Sequence, residues 1–99
     1  MDIEKKISGE NLELLLAGRV DGPAAHELEV EELAAMKQSY KAIFVNLAQA
    51  TFLCSAALRV LLQYHRQMKG RGGQLLVTRP SPEVTSALEM TGFPELVEK

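Results

Sequence analysis

The segment Ala42-Ile43-Phe44-Val45-Asn46-Leu47 is an apolar run broken by a single asparagine. It lacks the in-out alternation of a half-exposed strand. A run of this kind suits a strand covered on both faces, as in the middle of a parallel sheet. Parallel neighbours need crossover connections, and segments with helical patterning flank this run on both sides. The chain is therefore predicted to be α/β.

The other elements follow from period and punctuation. Ile3 to Ile7 alternates weakly and reads as an edge strand, and Leu12 to Ala17 reads as a second strand. Ser8-Gly9-Glu10-Asn11 between them is turn chemistry, so the N-terminus is predicted to be a hairpin. Gly18 to Pro23 ends it. Asp21 is placed as the cap of a first helix from Pro23 to about Ser39, with the proline in the first turn. The phase of that helix is imperfect. Leu28, Ala35 and Met36 share a face with Ala24 and Ala25, but Glu32 falls among them, while Val30 and Leu33 point elsewhere. Two readings stay open: a kinked or partly exposed helix, and a partner surface at Val30 and Leu33. Glu27, Glu29, Glu31 and Glu32 make the helix acidic, as a solvated face often is.

Ala48 to Leu53 reads as a loop after the central strand. Ser55 is then placed to cap a second helix from Ala56 to about Lys69. Its apolar stripe comprises Ala57, Leu58, Leu61, Tyr64, His65 and Met68. His65 on that stripe reads as a satisfied core residue. Arg59, Arg66, Lys69 and Arg71 form a mild basic strip, read as a solvated face. Gly70-Arg71-Gly72-Gly73 stops the helix. It follows a helix instead of opening one, so it lacks the context of a nucleotide loop. Gln74 to Thr78 reads as a strand and Ser81 to about Met90 as a last helix. Glu95 to Glu98 is a short terminal strand or a tail. The predicted order is β-β-α-β-α-β-α, a mixed sheet of about four strands with an N-terminal hairpin, parallel crossovers and at least three helices.

With 99 residues, 46 % apolar and 24 % charged, the chain is expected to be one domain spanning 1–99. A net charge of −2 gives no reason to expect nucleic-acid binding. One cysteine rules out an internal disulfide framework and a Cys-rich zinc site, and His26 and His65 lie far apart, so no metal is expected. The start, Met1 to Lys6, lacks the apolar run of a signal peptide, and no stretch of about twenty apolar residues exists to span a membrane. The expected compartment is a reducing cytoplasm. No cofactor is called for.

The most informative stretch is Phe52-Leu53-Cys54-Ser55-Ala56-Ala57-Leu58-Arg59. It sets a hydroxyl at a predicted helix N-terminus, where unpaired N–H groups and the helix dipole favour negative charge. A phosphate on Ser55 would be tolerated by the fold and would put nearly two negative charges on an apolar, neutral patch. The plainer reading is that Ser55 is only a cap. Cys54 beside it could act as a nucleophile with a lowered pKa, but no local histidine serves as its base and no Cys-x-x-Cys partner exists. A buried, inert thiol is the simpler reading.

The run FLCSAALRVLLQYHRQMKGRGGQLL, from Phe52 to Leu76, resembles the central helix region of STAS domains, the family of bacterial anti-sigma factor antagonists. The resemblance extends to Gly18-Arg19-Val20-Asp21, to Val45-Asn46-Leu47 and to the ending Pro80-Ser81-Pro82…Leu88…Thr91-Gly92-Phe93. That family carries its phosphorylated residue in an Asp-Ser-[Ser/Thr/Ala]-Gly-Leu motif. Cys54-Ser55-Ala56-Ala57-Leu58 matches it, which aligns Ser55 with the phosphoacceptor and Asp21 with the acidic residue before the first helix. Three positions depart: Cys54 stands for Asp, Ala57 for Gly, and Asn46 for the usual strand Asp. The departures at 46 and 54 remove carboxylates that the resemblance places near the hydroxyl, and Ala57 should stiffen the helix start.

The resemblance implies a partner-switching regulator, a substrate and not an enzyme. It would bind an anti-sigma factor with serine-kinase activity through Asp21, Gly22, Pro23, Cys54, Ser55, Ala56 and Arg59, and be released by phosphorylation at Ser55. The alternative is an unphosphorylated docking subunit of an ABC-type lipid transporter or of a signalling scaffold. A third possibility is an enzyme using Cys54. The edge strand near Ile3 leaves homodimerisation open.

Overall fold

A computed structural model describes residues 2–90, with the side chain of Asp2 left aside. Strands β1 (Asp2–Ser8) and β2 (Asn11–Val20) pair antiparallel around Gly9 and Glu10. Gly9 takes φ 60°, the left-handed value that the first position of a type II′ two-residue turn requires. Then come α1 (Gly22–Ala35), β3 (Ala42–Leu53), α2 (Ser55–Gly70), β4 (Gln74–Thr78) and α3 (Pro82–Met90). The sheet order is β1-β2-β3-β4, with β3 parallel to both β2 and β4. The expected α/β architecture, hairpin first and crossovers after, is what the chain adopts.

The core follows from register. Leu12 and Leu14 sit beside Ile43 and Val45, which sit beside Leu75 and Val77, and all are buried. Helices α1 and α2 contribute Leu28, Leu61, Tyr64 and Met68, also fully buried. Gly73 lets the chain leave α2 tightly, because a Cβ there would lie 2.7 Å from the Lys41 carbonyl oxygen.

Several expectations need correction. Strand β2 runs on to Val20 and β3 to Leu53, so Ala48–Leu53 is strand and not loop. The register between the two shifts twice, between Leu15 and Ala17 and between Gly18 and Arg19. Each shift inserts one extra residue into β3 and flips its alternation. That is why the polar-apolar pattern looked like a loop. Helix α1 stops at Ala35, earlier than Ser39. The cap of α2 is Cys54, and Ser55 is its first helical residue. Of the two readings of α1, the structure shows a regular helix with Val30 and Leu33 exposed and Glu32 fully buried. His65 is only half-buried, and its Nδ1 is buried without a partner among the described residues, so it is not the satisfied core residue expected. Arg71 is exposed, as read for the basic strip, and its guanidinium also donates to the Gln38 carbonyl at 2.6 Å. The tail at 95–98 and the matched Thr91-Gly92-Phe93 lie outside the described residues.

Candidate partner-docking site

Parallel strands end on one rim of the sheet, and each helix that follows a strand starts there. Val20 and Leu53 are register partners, so the next residues, Asp21 and Cys54, open their helices side by side. The Cys54 N–H donates to the Val20 carbonyl at 2.9 Å and ties the two starts together. An Asp21 carboxylate oxygen accepts from the Ala24 N–H at 3.3 Å and caps α1. The Cys54 Sγ accepts from the Ala57 N–H at 3.4 Å and caps α2. Sulfur is a weak acceptor, so this cap leaves the start of α2 more electropositive than a carboxylate or hydroxyl cap would.

Ser55, Gly22, Pro23 and Arg59 are exposed around this junction, and Asp21, Cys54 and Ala56 are half-buried. The structure thus gathers all of the residues expected to meet a partner on two neighbouring helix starts. Being first in its helix, Ser55 has an N–H with no intrahelical acceptor, as has that of Ala56. No acidic side chain lies in the first turn of α2. Arg59 stands one turn beyond Ser55, the spacing at which two side chains on a helix meet.

Two residues on this rim were not paired by the sequence reading. Arg19 and Phe52 are register partners near the ends of β2 and β3, and the Arg19 guanidinium carbon lies 4.3 Å from the Phe52 ring centroid. Phe52 keeps 39 % of its surface exposed, an apolar plate beside the helix starts. Reading Ala48–Leu53 as a loop hid this pair. The strand assignment alone reveals it.

Asn46 is not part of the rim. It lies seven residues before Leu53 in β3, which at the rise of a strand is about 20 Å away. Its amide donates to Glu13 at 3.5 Å, and its Oδ1 accepts from the Ala48 N–H at 2.9 Å, where the register first shifts. The asparagine at 46 therefore serves the strand, and the lost carboxylate there does not bear directly on Ser55.

Among the described residues the one strongly perturbed carboxyl sits elsewhere, between α1 and α2. Burial first, and the neighbouring Glu29 second, push Glu32 up to about 7. Its Oε2 accepts from Gln67 at 3.2 Å, while Oε1 and the buried Tyr64 hydroxyl have no partner among the described residues. Burial also raises the Tyr64 phenol, with Glu32, Glu31 and Tyr40 adding to the effect. Among the described residues no group of three or more His, Cys, Asp or Glu could hold a metal ion, and no helix is long and apolar enough to cross a membrane.

An antiparallel hairpin leading into parallel crossovers, with helix starts gathered on one rim, makes this a small mixed α/β domain. The comparisons agree. The family model described as "Mlab, STAS domain" matches residues 3–98, and the chain belongs to the STAS family. BtrV of Bordetella bronchiseptica, assigned as an anti-sigma factor antagonist, is 30 % identical over 78 residues, covering 79 % of this chain and 67 % of BtrV. The anti-sigma factor antagonist SpoIIAA in its unphosphorylated form superposes with a TM-score of 0.89 at 18 % identity, over 98 % of this chain and 86 % of that one. A sulfate transporter family protein from Wolinella succinogenes shares the fold at a TM-score of 0.78 and 18 % identity, over 95 % of this chain and 76 % of that one.

Proposed function

We propose that this chain is an anti-sigma factor antagonist that docks, through the rim of Asp21, Gly22, Pro23, Cys54, Ser55, Ala56 and Arg59, onto an anti-sigma factor with serine-kinase activity. Phosphorylation of Ser55 then releases it. The observation that carries this reading is the exposed Ser55 at the first position of α2, beside the start of α1 and with no carboxylate in its own first turn. In the transfer, the Ser55 oxygen bonds to the γ-phosphorus of ATP as the bond to the bridging oxygen breaks. ADP leaves, and the hydroxyl proton passes to a base of the kinase.

The fold bears the product at small cost. A phosphate here carries about −1.5 to −2 charge, faces the free N–H groups of the helix start and can pair with Arg59. A partner packed on the rim would have to bury that charge or leave. The chain is the substrate in this scheme and performs no catalysis of its own.

The test is capture of partners from native lysate, followed by binding measurements with the recovered serine kinase. Wild-type protein should bind it and gain phosphate at Ser55 with ATP. Ser55→Ala should bind and resist modification, and Ser55→Asp should bind at least about tenfold more weakly, the effect of roughly 1.4 kcal/mol. Equal binding of Ser55→Asp and wild type would sink the charge mechanism.

A second reading has its own support. Cys54 and Ala57 stand where the family motif has Asp and Gly, and a docking module needs the fold without an efficient acceptor. On that reading the protein is a subunit of an ABC-type lipid transporter or of a signalling scaffold. Binding insensitive to both Ser55 substitutions, with transporter or scaffold subunits recovered and Ser55 unmodified, is its expected signature.

A further inference from the structure

The rim uses one end of the sheet and leaves its β1 edge unused. Among the described residues strand β1 lies at the end of the order β1-β2-β3-β4, pairs on one side only, and carries no proline. Ile7 on it keeps 66 % of its surface exposed.

The hairpin fixes which backbone groups face outward. Ser8 and Asn11 close a two-residue turn, so they exchange hydrogen bonds with each other, and every second residue of β1 does the same with β2. Lys6 and Glu4 thus point their N–H and C=O groups inward, while those of Ile3, Lys5 and Ile7 point out to solvent. An antiparallel neighbour must pair through these three.

Only a few registers of β1 against a second copy meet that condition. With Lys5 facing Lys5 of the second copy, Ile3 faces Ile7 and Glu4 faces Lys6, each twice by symmetry. Shifting by one allowed step toward the N-terminus sets Glu4 against Glu4. Shifting the other way sets Lys6 against Lys6. The centred register alone matches apolar with apolar and acid with base. Its cost is the Lys5 pair on the symmetry axis, and each Lys5 is already joined to Glu31 at 3.0 Å. Inward lysines often blunt an edge strand, but here the charge is answered within each copy.

We propose that the β1 edge is a homodimer interface. Two copies join by about six backbone hydrogen bonds through Ile3, Lys5 and Ile7, flanked by Glu4–Lys6 pairs, into one continuous sheet. The strand directions then put the two Ser55 rims at opposite ends of that sheet, so both stay free to dock. The occupant is a second copy because the edge is complementary to itself, which a foreign strand need not match.

Sedimentation velocity over a wide concentration range reads the result. Wild type should show a reversible monomer–dimer equilibrium. Glu4→Lys and Lys6→Glu should each weaken dimerisation at least tenfold, because each sets like charges face to face. The double exchange restores opposite charges across the interface, and it should return the dimer constant to within about threefold of wild type. Glu13 faces Lys6 within the same hairpin, so any cost of Lys6→Glu to the monomer is common to the single and double variants. Hydrogen exchange on the wild type gives a readout free of mutation. The amides of Ile3, Lys5 and Ile7 should gain protection as concentration rises, and that of Lys6 should not change. A protein that is monomeric throughout, a dimer indifferent to the charge exchange, or a double variant as weak as the singles overturns the proposal. So does protection that appears only with an added partner protein.

Discussion

Replacing Glu32 by glutamine should stabilise the protein, and more so as pH rises. Glu32 is fully buried between α1 and α2. The groups that act on it are Glu29 from its own helix and Tyr64 and Gln67 from α2. Among the described residues only Gln67 donates to it in a hydrogen bond. Burial holds its carboxyl at about 7, against 4.5 when exposed. A carboxyl raised on folding makes its full contribution below the unfolded pKa. Stability is lost as pH climbs from about 4.5 to about 7, and the loss is complete above that. At 1.36 kcal/mol per pKa unit the loss is about 3 kcal/mol. Relaxation around the site will trim this, so about 1–3 kcal/mol is expected at pH 8. Glu32→Gln keeps the side-chain shape and an acceptor for Gln67 but cannot ionise. Urea unfolding of both proteins from pH 4 to pH 9 checks the reasoning, since titrations common to the two cancel in the difference. The variant should match wild type near pH 4 and exceed it at pH 8, with a Tm higher by on the order of 10 °C there. A variant no more stable than wild type at pH 8, or a gap that does not vary with pH, would show that the buried carboxyl is not the source of strain.

Tyr64→Phe removes a buried hydroxyl that has no partner among the described residues. The loss of an unsatisfied polar atom should leave stability unchanged or raise it by about 1 kcal/mol, measured by denaturant midpoint. A drop of more than that would mean the hydroxyl is bonded in solution. Gly73→Ala drives a methyl to 2.7 Å from the Lys41 carbonyl oxygen and 2.9 Å from the Met68 terminal methyl. It should cost about 1–3 kcal/mol and lower Tm, with no loss of docking at the distant Ser55 rim.

Much of the fold was legible from local pattern. The buried central run announced a parallel sheet, Gly9 announced the hairpin turn, and Gly70 to Gly73 announced the end of α2. These signals are short-range: a backbone angle or an apolar period that holds whatever the rest of the chain does. Position 55 was legible too, because a hydroxyl at a helix start carries its own electrostatics. Its exact place was not. Sequence made Ser55 the cap, and the structure gives that role to Cys54, since the hydrogen bond from Cys54 to Val20 decides where strand stops and helix starts.

What the tertiary structure alone decided is what depends on a neighbour. The second half of β3 is strand only because β2 extends beside it, with two register shifts absorbing the residues that spoil the alternation. Arg19 and Phe52 meet for the same reason. Glu32 broke the apolar phase of α1 on paper, and a carboxyl in that place suggested a flaw in the helix. In the fold it is buried against Gln67, because α2 closes over α1 there and covers whatever side chain stands in that position. A sequence fixes which conformations each segment favours. Which polar group is shut away from water is settled only when a second element packs across it.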